Sequence, residues 1–274
     1  MSLFPHWLYK QIMLTDVHTH AFRPAIAHKV LEFLHGHYDI EPVGNGMIED
    51  LLTRLEVAGI QRCVVHTAAM TPDQVRPANN WAAELQKTHP QVVAFGSVHP
   101  DFPEWEKEMD RLENKGITGL KLHPDFQETP LDSLGMMNIF EAAQDRFTLM
   151  VHVGDRPEPS VNPSCPMKIM KIKKSFPRLN LIAAHLGGYL HWKWARECLI
   201  GENIYIDTSS SLPFMDDDTL FDIFKRHPRD MILFGSDYPL FDPGTEAERL
   251  KTRLSLTSSE LDRLMLNADE LLGK

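Results

Sequence analysis

A chain of 274 residues, 43% of them hydrophobic and 24% charged, is long enough to bury a large core. Its formal net charge of -10 and pI of about 5.8 argue against a general nucleic-acid or membrane-surface binder, which needs a positive field, but leave room for a small basic pocket. Cys63, Cys165 and Cys198 are too few and too widely spaced for a disulfide framework or a CxxC metal knuckle. The N-terminus lacks a signal-peptide pattern, and no stretch approaches the roughly 20 apolar residues that span a bilayer. The expected setting is therefore the reducing cytoplasm, with neither nucleic acid nor membrane as partner.

Short β-rich runs recur along the chain with amphipathic segments between them. Strands are expected at 12–18, 62–66, 92–98, 119–123, 147–152, 179–185, 203–207 and 231–237. Helical spacing is expected at 47–58, at 72–88 behind Thr71 as N-cap, and at 103–115, 131–146, 166–176, 190–199 and 219–227. Two further helices follow from Thr245 onward, the last opened by a capping box at Thr257-Ser258-Ser259-Glu260. The loop at 19–46 is the long exception, with an inserted helix expected at 25–34.

Nearly continuous apolar strands imply a sheet covered on both faces, and strict β-then-α alternation implies parallel strands. Eight such units in roughly 250 residues give the fold class α/β, a (β/α)8 TIM barrel. No composition shift or repeat marks a boundary, so the expectation is a single domain over 1–274. The rival, an open doubly wound sheet, usually announces a glycine-rich phosphate loop after its first strand. Here that strand ends in His18-Thr19-His20.

In an extended strand Asp16, His18 and His20 share one face and Val17 takes the other, so the two imidazoles form half of a divalent metal site. Barrel chemistry sits at the C-terminal strand ends, and the polar residues of this chain fall there. Strand four ends in Lys121 and His123, strand five in His152, strand six in His185, strand seven in Asp207 and strand eight in Asp237. Any one of these reads as a satisfied core or surface residue. Burying all of them together without a metal or substrate is costly, which favours a metal site.

These pieces resemble the amidohydrolase superfamily. The chain is most similar to the branch of TIM-barrel metal-dependent hydrolases that also includes aminocarboxymuconate semialdehyde decarboxylase. The resemblance is carried by Asp16 to His20, Gly119-Leu120-Lys121-Leu122-His123-Pro124, Val151-His152-Val153-Gly154, Ala184-His185-Leu186-Gly187-Gly188, Phe234-Gly235-Ser236-Asp237-Tyr238-Pro239, and the closing segment from Asn267 to Gly273. It implies that His18, His20, His152 and Asp237 hold a divalent metal, foremost Zn2+, with Mn2+ or Fe2+ also suited to imidazole and carboxylate. Asp237 would also handle the proton of metal-activated water, and His185 would bind a second metal or orient water and substrate. Lys121 either becomes carboxylated and bridges two metals or stays an ammonium that binds an anionic substrate group; one metal is favoured, with His123 just above it facing substrate.

The resemblance is specific for the superfamily and not for a reaction. Hydrolysis of an ester, lactone or amide of a small anionic substrate is the leading expectation, because the intact His18-Thr19-His20 mildly favours it. A metal-dependent non-oxidative decarboxylase is the alternative, and a non-catalytic metal-binding scaffold the second. Arg156 in the strand-five loop either meets a carboxylate or phosphate or pairs with Asp155. Trp192 and Trp194 are expected to cover the barrel, and Asp207 to bond a neighbouring ligand. A homodimer is ordinary for this fold, but no residue argues for it.

Overall fold

A computed structural model describes residues 13–272. Ile12, expected to open the first strand, the rest of the N-terminal segment read for targeting, and Gly273 lie outside the described residues.

Eight strands alternate with helices. In order they are β1 (Thr15–His20), β2 (Arg62–His66), β3 (Val92–Phe95), β4 (Gly119–Leu122), β5 (Thr148–Val151), β6 (Asn180–Ala183), β7 (Tyr205–Asp207) and β8 (Ile232–Leu233). All pair in parallel, as a three-stranded sheet β1-β2-β3 and a five-stranded sheet β4 to β8. Backbone hydrogen bonds join the two sheets at both edges. Gly96 N donates to Gly119 O (2.9 Å) and Lys121 N to Gly96 O (2.7 Å). At the other seam Val17 N donates to Phe234 O (2.9 Å), Asp237 N to His18 O (2.8 Å) and His20 N to Tyr238 O (2.8 Å). The strands thereby run round into the expected (β/α)8 barrel.

Two apolar layers follow from the period-2 alternation of strand side chains. Cys63, Val65, Ala94, Leu120, Leu122, Leu149, Val151 and Ile206 face the helices. Val17, Val64, Phe95, Met150, Ile182 and Leu233 fill the barrel interior, each worth about 1.5–3 kcal/mol when fully buried. Ala268 and Leu271 join this inner cluster from the last helix, α11 (Ala268–Leu272). Asn267 donates to Arg229 O and Ile232 O, and Asp269 pairs with Arg62, so α11 sits under the N-terminal strand ends.

The other helices are α1 (Pro24–Tyr38), α2 (Ile48–Val57), α3 (Val75–Thr88), α4 (Trp105–Asn114), α5 (Leu134–Ala143), α6 (Pro166–Ser175), α7 (Trp192–Cys198), α8 (Asp217–Arg226), α9 (Pro243–Arg253) and α10 (Ser258–Leu266). The inserted helix in the long first loop is α1, longer than expected; Pro24 pre-sets its first turn and Asp39 ends it in the left-handed conformation. Thr71 does not cap a helix, because its hydroxyl bonds Asp73 and a 3-10 turn at Pro72–Gln74 precedes α3. The tail holds three helices rather than two. The capping box of Thr257 and Glu260 opens α10, and Asn267 separates α10 from α11.

Glu246 on α9 is buried, and neither carboxylate oxygen has an aligned hydrogen-bond partner, although Arg249 Nη1 lies 2.7 Å from Oε1. Burial pushes its carboxyl up to about 7, against the partial relief of Arg249. A raised carboxyl pKa means that the folded state holds the proton more tightly. The contribution of Glu246 to stability is therefore fully present below the unfolded value of 4.5 and is lost as pH rises through about 7. Glu246→Gln should raise the unfolding temperature at pH 8, by the equivalent of about 2–3 kcal/mol, and leave it unchanged at pH 4.5. Thermal scans of both proteins at the two pH values check this; an equal effect at both pH values would mean that the buried charge is not its source.

Candidate functional site

The site is built at the C-terminal strand ends around a kink in β1. Between Asp16 and Thr19, β1 spends one residue more than β2, a β-bulge. The bulge overturns the simple alternation expected above. Val17 joins the inner cluster, Asp16 stands opposite the outward-facing Cys63, and His18 nonetheless points inward beside Lys121. The Asp16 carboxylate clamps the distortion by accepting from His18 N (3.1 Å) and Ser236 N (3.0 Å). Burial pushes that carboxyl up to about 7.

His18 is 1% exposed and braced from behind. Its Nδ1 meets Asp207 Oδ2 at 3.1 Å and Ser209 Oγ at 2.9 Å. A carboxylate accepts, so Nδ1 carries the proton and Nε2 presents its lone pair to the cavity. Burial lowers the His18 pKa to about 4, so the imidazole is neutral at pH 7. The Nε2 atom lies 3.0 Å from Lys121 Nζ and 3.6 Å from Asp237 Oδ1. Asp207 thus performs the bracing role expected of it. Lys121 is fully buried and its pKa is lowered to about 8 by burial, which leaves it mostly an ammonium near neutrality.

His185 and Asp237 lie just past β6 and β8, which are shorter than expected. Both have left-handed backbones, with φ of 62° and 66°, and there the strand ladders end. Such conformations are costly for residues with a Cβ and cluster at functional sites. They are held by Leu186 N donating to Asp207 O (2.6 Å) and Asp237 N to His18 O (2.8 Å). Burial pushes the Asp237 carboxyl up, but His18, His20 and His185 outweigh it and hold the group well below the usual range. Its Oδ1 lies 3.3 Å from His20 Nε2, and Oδ2 accepts from Ser210.

His18, His185 and Asp237 bring one potential ligand atom each to within 4.8 Å of one another. Two imidazoles kept neutral or of lowered pKa and one ionised carboxylate are a donor set that fits a divalent cation. His20 flanks this trio through Asp237. His152, expected as a ligand, instead makes two bonds of its own. Its Nε2 reaches Gly154 O at 2.9 Å and its Nδ1 reaches His185 Nε2 at 2.9 Å. His185 is engaged on both sides too, with Nδ1 3.0 Å from Ser209 O, and it is proximity to His18 and Asp237 that places it in the trio and His152 beside it. The backbone of Gly154 has φ of 82°, and this brings its carbonyl under the ring.

Above this floor opens a cavity of about 550 Å3. Its walls are largely apolar and aromatic, with Phe22, Phe126, Trp81, Tyr38 and Tyr189 among them. His123 lines it, but its ring is stacked between Phe126 (3.9 Å) and His152 (3.8 Å), so only its edge is available. Arg156 does not line the cavity. Its guanidinium donates to Tyr38 O (2.9 Å) at the exposed end of α1, and Asp155 pairs with His37 (2.8 Å). Trp192 is a cover, as expected, with Nε1 donating to His185 O at 2.9 Å.

Four site residues were missed in the sequence. His66 lines the floor, its ring 5.0 Å from that of His18, and it stands at the C-terminal end of β2, where the strand-end rule applied to the other strands would have found it. Ser209 and Ser210 follow Asp207 in a run of serines that carries no spacing signal. Tyr38 comes from α1, where nothing in the pattern distinguishes it from its neighbours.

A profile for the family described as amidohydrolase matches residues 15–274. The chain belongs to that family, and the family is one of enzymes. No curated protein matches it. Among solved structures it is similar to 2,6-dihydroxybenzoate decarboxylase from Rhizobium, at 17% identity over 95% of this chain and 98% of that one, with a TM-score of 0.70. It is also similar to 5-carboxyvanillate decarboxylase from Sphingomonas paucimobilis, at 14% identity over 96% and 99%, TM-score 0.69. A third is dihydroxybenzoic acid decarboxylase from Polaromonas sp. JS666 with bound manganese and the inhibitor 2-nitroresorcinol, at 16% identity over 95% and 97%, TM-score 0.69. At these identities the likeness is one of fold.

Proposed function

We propose that this chain is a metal-dependent, non-oxidative decarboxylase of a small hydroxylated aromatic acid. The observation that carries the reading is the division of the cavity into a polar, titratable floor and aromatic walls, which suits a flat ring inserted with its acidic edge downward. The decarboxylases of similar fold support it. His18, His185 and Asp237 would hold the cation, with His20 beside them; manganese, as in the Polaromonas structure, or zinc suits these donors. A divalent cation there supplies Lewis acidity toward the oxygens of the substrate.

The residues of the chain do the rest. The Lys121 ammonium attracts the carboxylate edge. The aromatic walls exclude water, which favours conversion of a charged carboxylate to neutral CO2. As the carbon–carbon bond breaks, its electron pair stays on the ring carbon and takes up a proton. At neutral pH that proton is held on the floor, at Lys121 Nζ or between His185 Nε2 and His152 Nδ1. Hydrolysis, the leading expectation from sequence, is the second reading. It is favoured by the ionised Asp237, 3.3 Å from His20, which is placed to take a proton from a nucleophilic water.

Protein loaded with Mn2+ or Zn2+ and given 2,6-dihydroxybenzoate and related hydroxybenzoates in D2O should release CO2 and leave one deuterium on the product ring. Cleavage of esters or lactones with no CO2 from any acid would establish the second reading instead.

A further inference from the structure

We propose that Tyr38 is a substrate-recognition residue, whose phenol hydroxyl, oriented by His123, donates a hydrogen bond to a ring oxygen that faces the cavity wall rather than the floor. The inference rests on the decarboxylase reading and deepens it, because it names a substituent that the substrate carries.

The argument starts from the protons on His123. Phe126 N–H points at His123 Nδ1 (3.3 Å), so Nδ1 accepts. A neutral imidazole with an accepting Nδ1 carries its proton on Nε2. That N–H faces Tyr38 Oη at 3.3 Å and therefore donates to it. The ring cannot turn to offer anything else, since Phe126 and His152 cover its two faces. The phenol has thus received a bond at its oxygen and still has its own proton to give. No acceptor for that proton is present among the described residues, and Tyr38 lines the cavity. The phenol stays protonated, because burial raises its pKa and the carboxylates of Asp155, Asp237 and Asp125 raise it further.

The position is also firmly held. Arg156 Nη2 donates to Tyr38 O (2.9 Å), His37 bonds Asp155 on the same loop (2.8 Å), and Asp39 N closes the helix end on His35 O (2.8 Å). The rings of Phe126, Tyr189 and His152 surround the phenol with centroids 5.8–6.4 Å away. A fixed donor on an otherwise apolar wall discriminates strongly between a ring that carries an acceptor there and one that does not. The bound molecule is then an arene oxygenated on both sides: one oxygen group seated at the floor, and a second, hydroxyl-type oxygen at Tyr38.

The test uses Mn2+-loaded protein and two probes that cannot lose CO2, 2-nitroresorcinol and 2-nitrophenol. Both offer a nitro group and one adjacent hydroxyl to the floor, and only the first keeps a second hydroxyl for the wall. Titration by absorbance gives the dissociation constants. Tyr38→Phe, which keeps the ring, should weaken 2-nitroresorcinol by about tenfold and change 2-nitrophenol by less than about twofold. His123→Phe, which keeps the stack, should show the same selective loss; a merely structural role would weaken both probes alike. If the unaltered protein binds both probes and the variants lose both equally, or neither, the assignment of Tyr38 is wrong while the decarboxylase reading stands. If the unaltered protein binds neither probe, the reading itself fails and this inference falls with it.

Discussion

His18→Ala should strip the protein of its metal and lower turnover by more than about 100-fold, the upper end of what losses one shell further out cost. The ring sits at the centre of the floor, with Nε2 facing Lys121 and Asp237 and Nδ1 fixed by Asp207. Of its neighbours, His20 is already at Asp237, and His66 Nε2 is bound to Val17 O. Elemental analysis of protein purified without chelator should find about one ion per chain in the unaltered protein and none in the variant. A content of about two would point instead to a carboxylated Lys121 bridging a pair of ions. Asp207→Asn is the graded companion. It keeps the ligand but removes the carboxylate that sets its tautomer, so metal affinity should fall by about 10–100-fold without vanishing. Full metal content and full turnover in His18→Ala would remove His18 from the centre.

Gly154→Ala is expected to destabilise the fold by more than about 3 kcal/mol, the sum of a left-handed backbone cost and an overpacking cost. At φ 82° an added Cβ would lie 2.3 Å from Tyr189 O and 2.8 Å from Tyr189 N. Both are backbone atoms, fixed in turn by Tyr189 N donating to Val153 O at 2.7 Å, so no side chain can swing aside. The loop after β5 would have to move, taking with it the Gly154 carbonyl that orients His152. Differential scanning calorimetry should show a fall in unfolding temperature of about 6–12 °C for a chain of this size. Gly59→Ala is the control. It has a similar φ of 72° but nothing within 4 Å, and should cost only the backbone term, about 1–2 kcal/mol. Equal losses at the two positions would show that crowding at Tyr189 contributes nothing.

The barrel was legible because each strand is a short apolar run and each helix repeats its apolar residues at helical spacing, so all eight strands could be placed. The floor was legible for a related reason: in this fold polar residues at the ends of apolar strands converge on one face, and His18, His20, Lys121, His185 and Asp237 do so. Which of the histidines lie close enough together to share a cation was not legible. His152 and His185 both end strands in the sequence, and the difference between them comes from a glycine carbonyl and a left-handed turn. The inward tilt of both Val17 and His18 depends on a bulge, which leaves no trace in an alternation of residue types. The reaction was hardest to read. The cavity walls come largely from the long loop after β1 and from side chains such as Phe126 and Tyr189, in segments whose sequence carries no chemical motif.

The placement of α11 has a consequence for how the chain is made. β1 needs β8 on its open edge and α11 beneath its start, and both are synthesised more than 200 residues after it. At ordinary rates of translation that delay is roughly ten to forty seconds. Throughout it, the nascent chain carries a strand with one row of unpaired N–H and C=O groups next to the apolar Val17, Val64 and Phe95, the kind of edge that recruits other strands. The ring cannot form piecemeal from its first strand; it cannot close until β8 and α11 have been made. Yield in a cell should accordingly be limited by what shields that edge during synthesis, such as chaperones, cooler growth or slower initiation, rather than by the stability of the finished barrel.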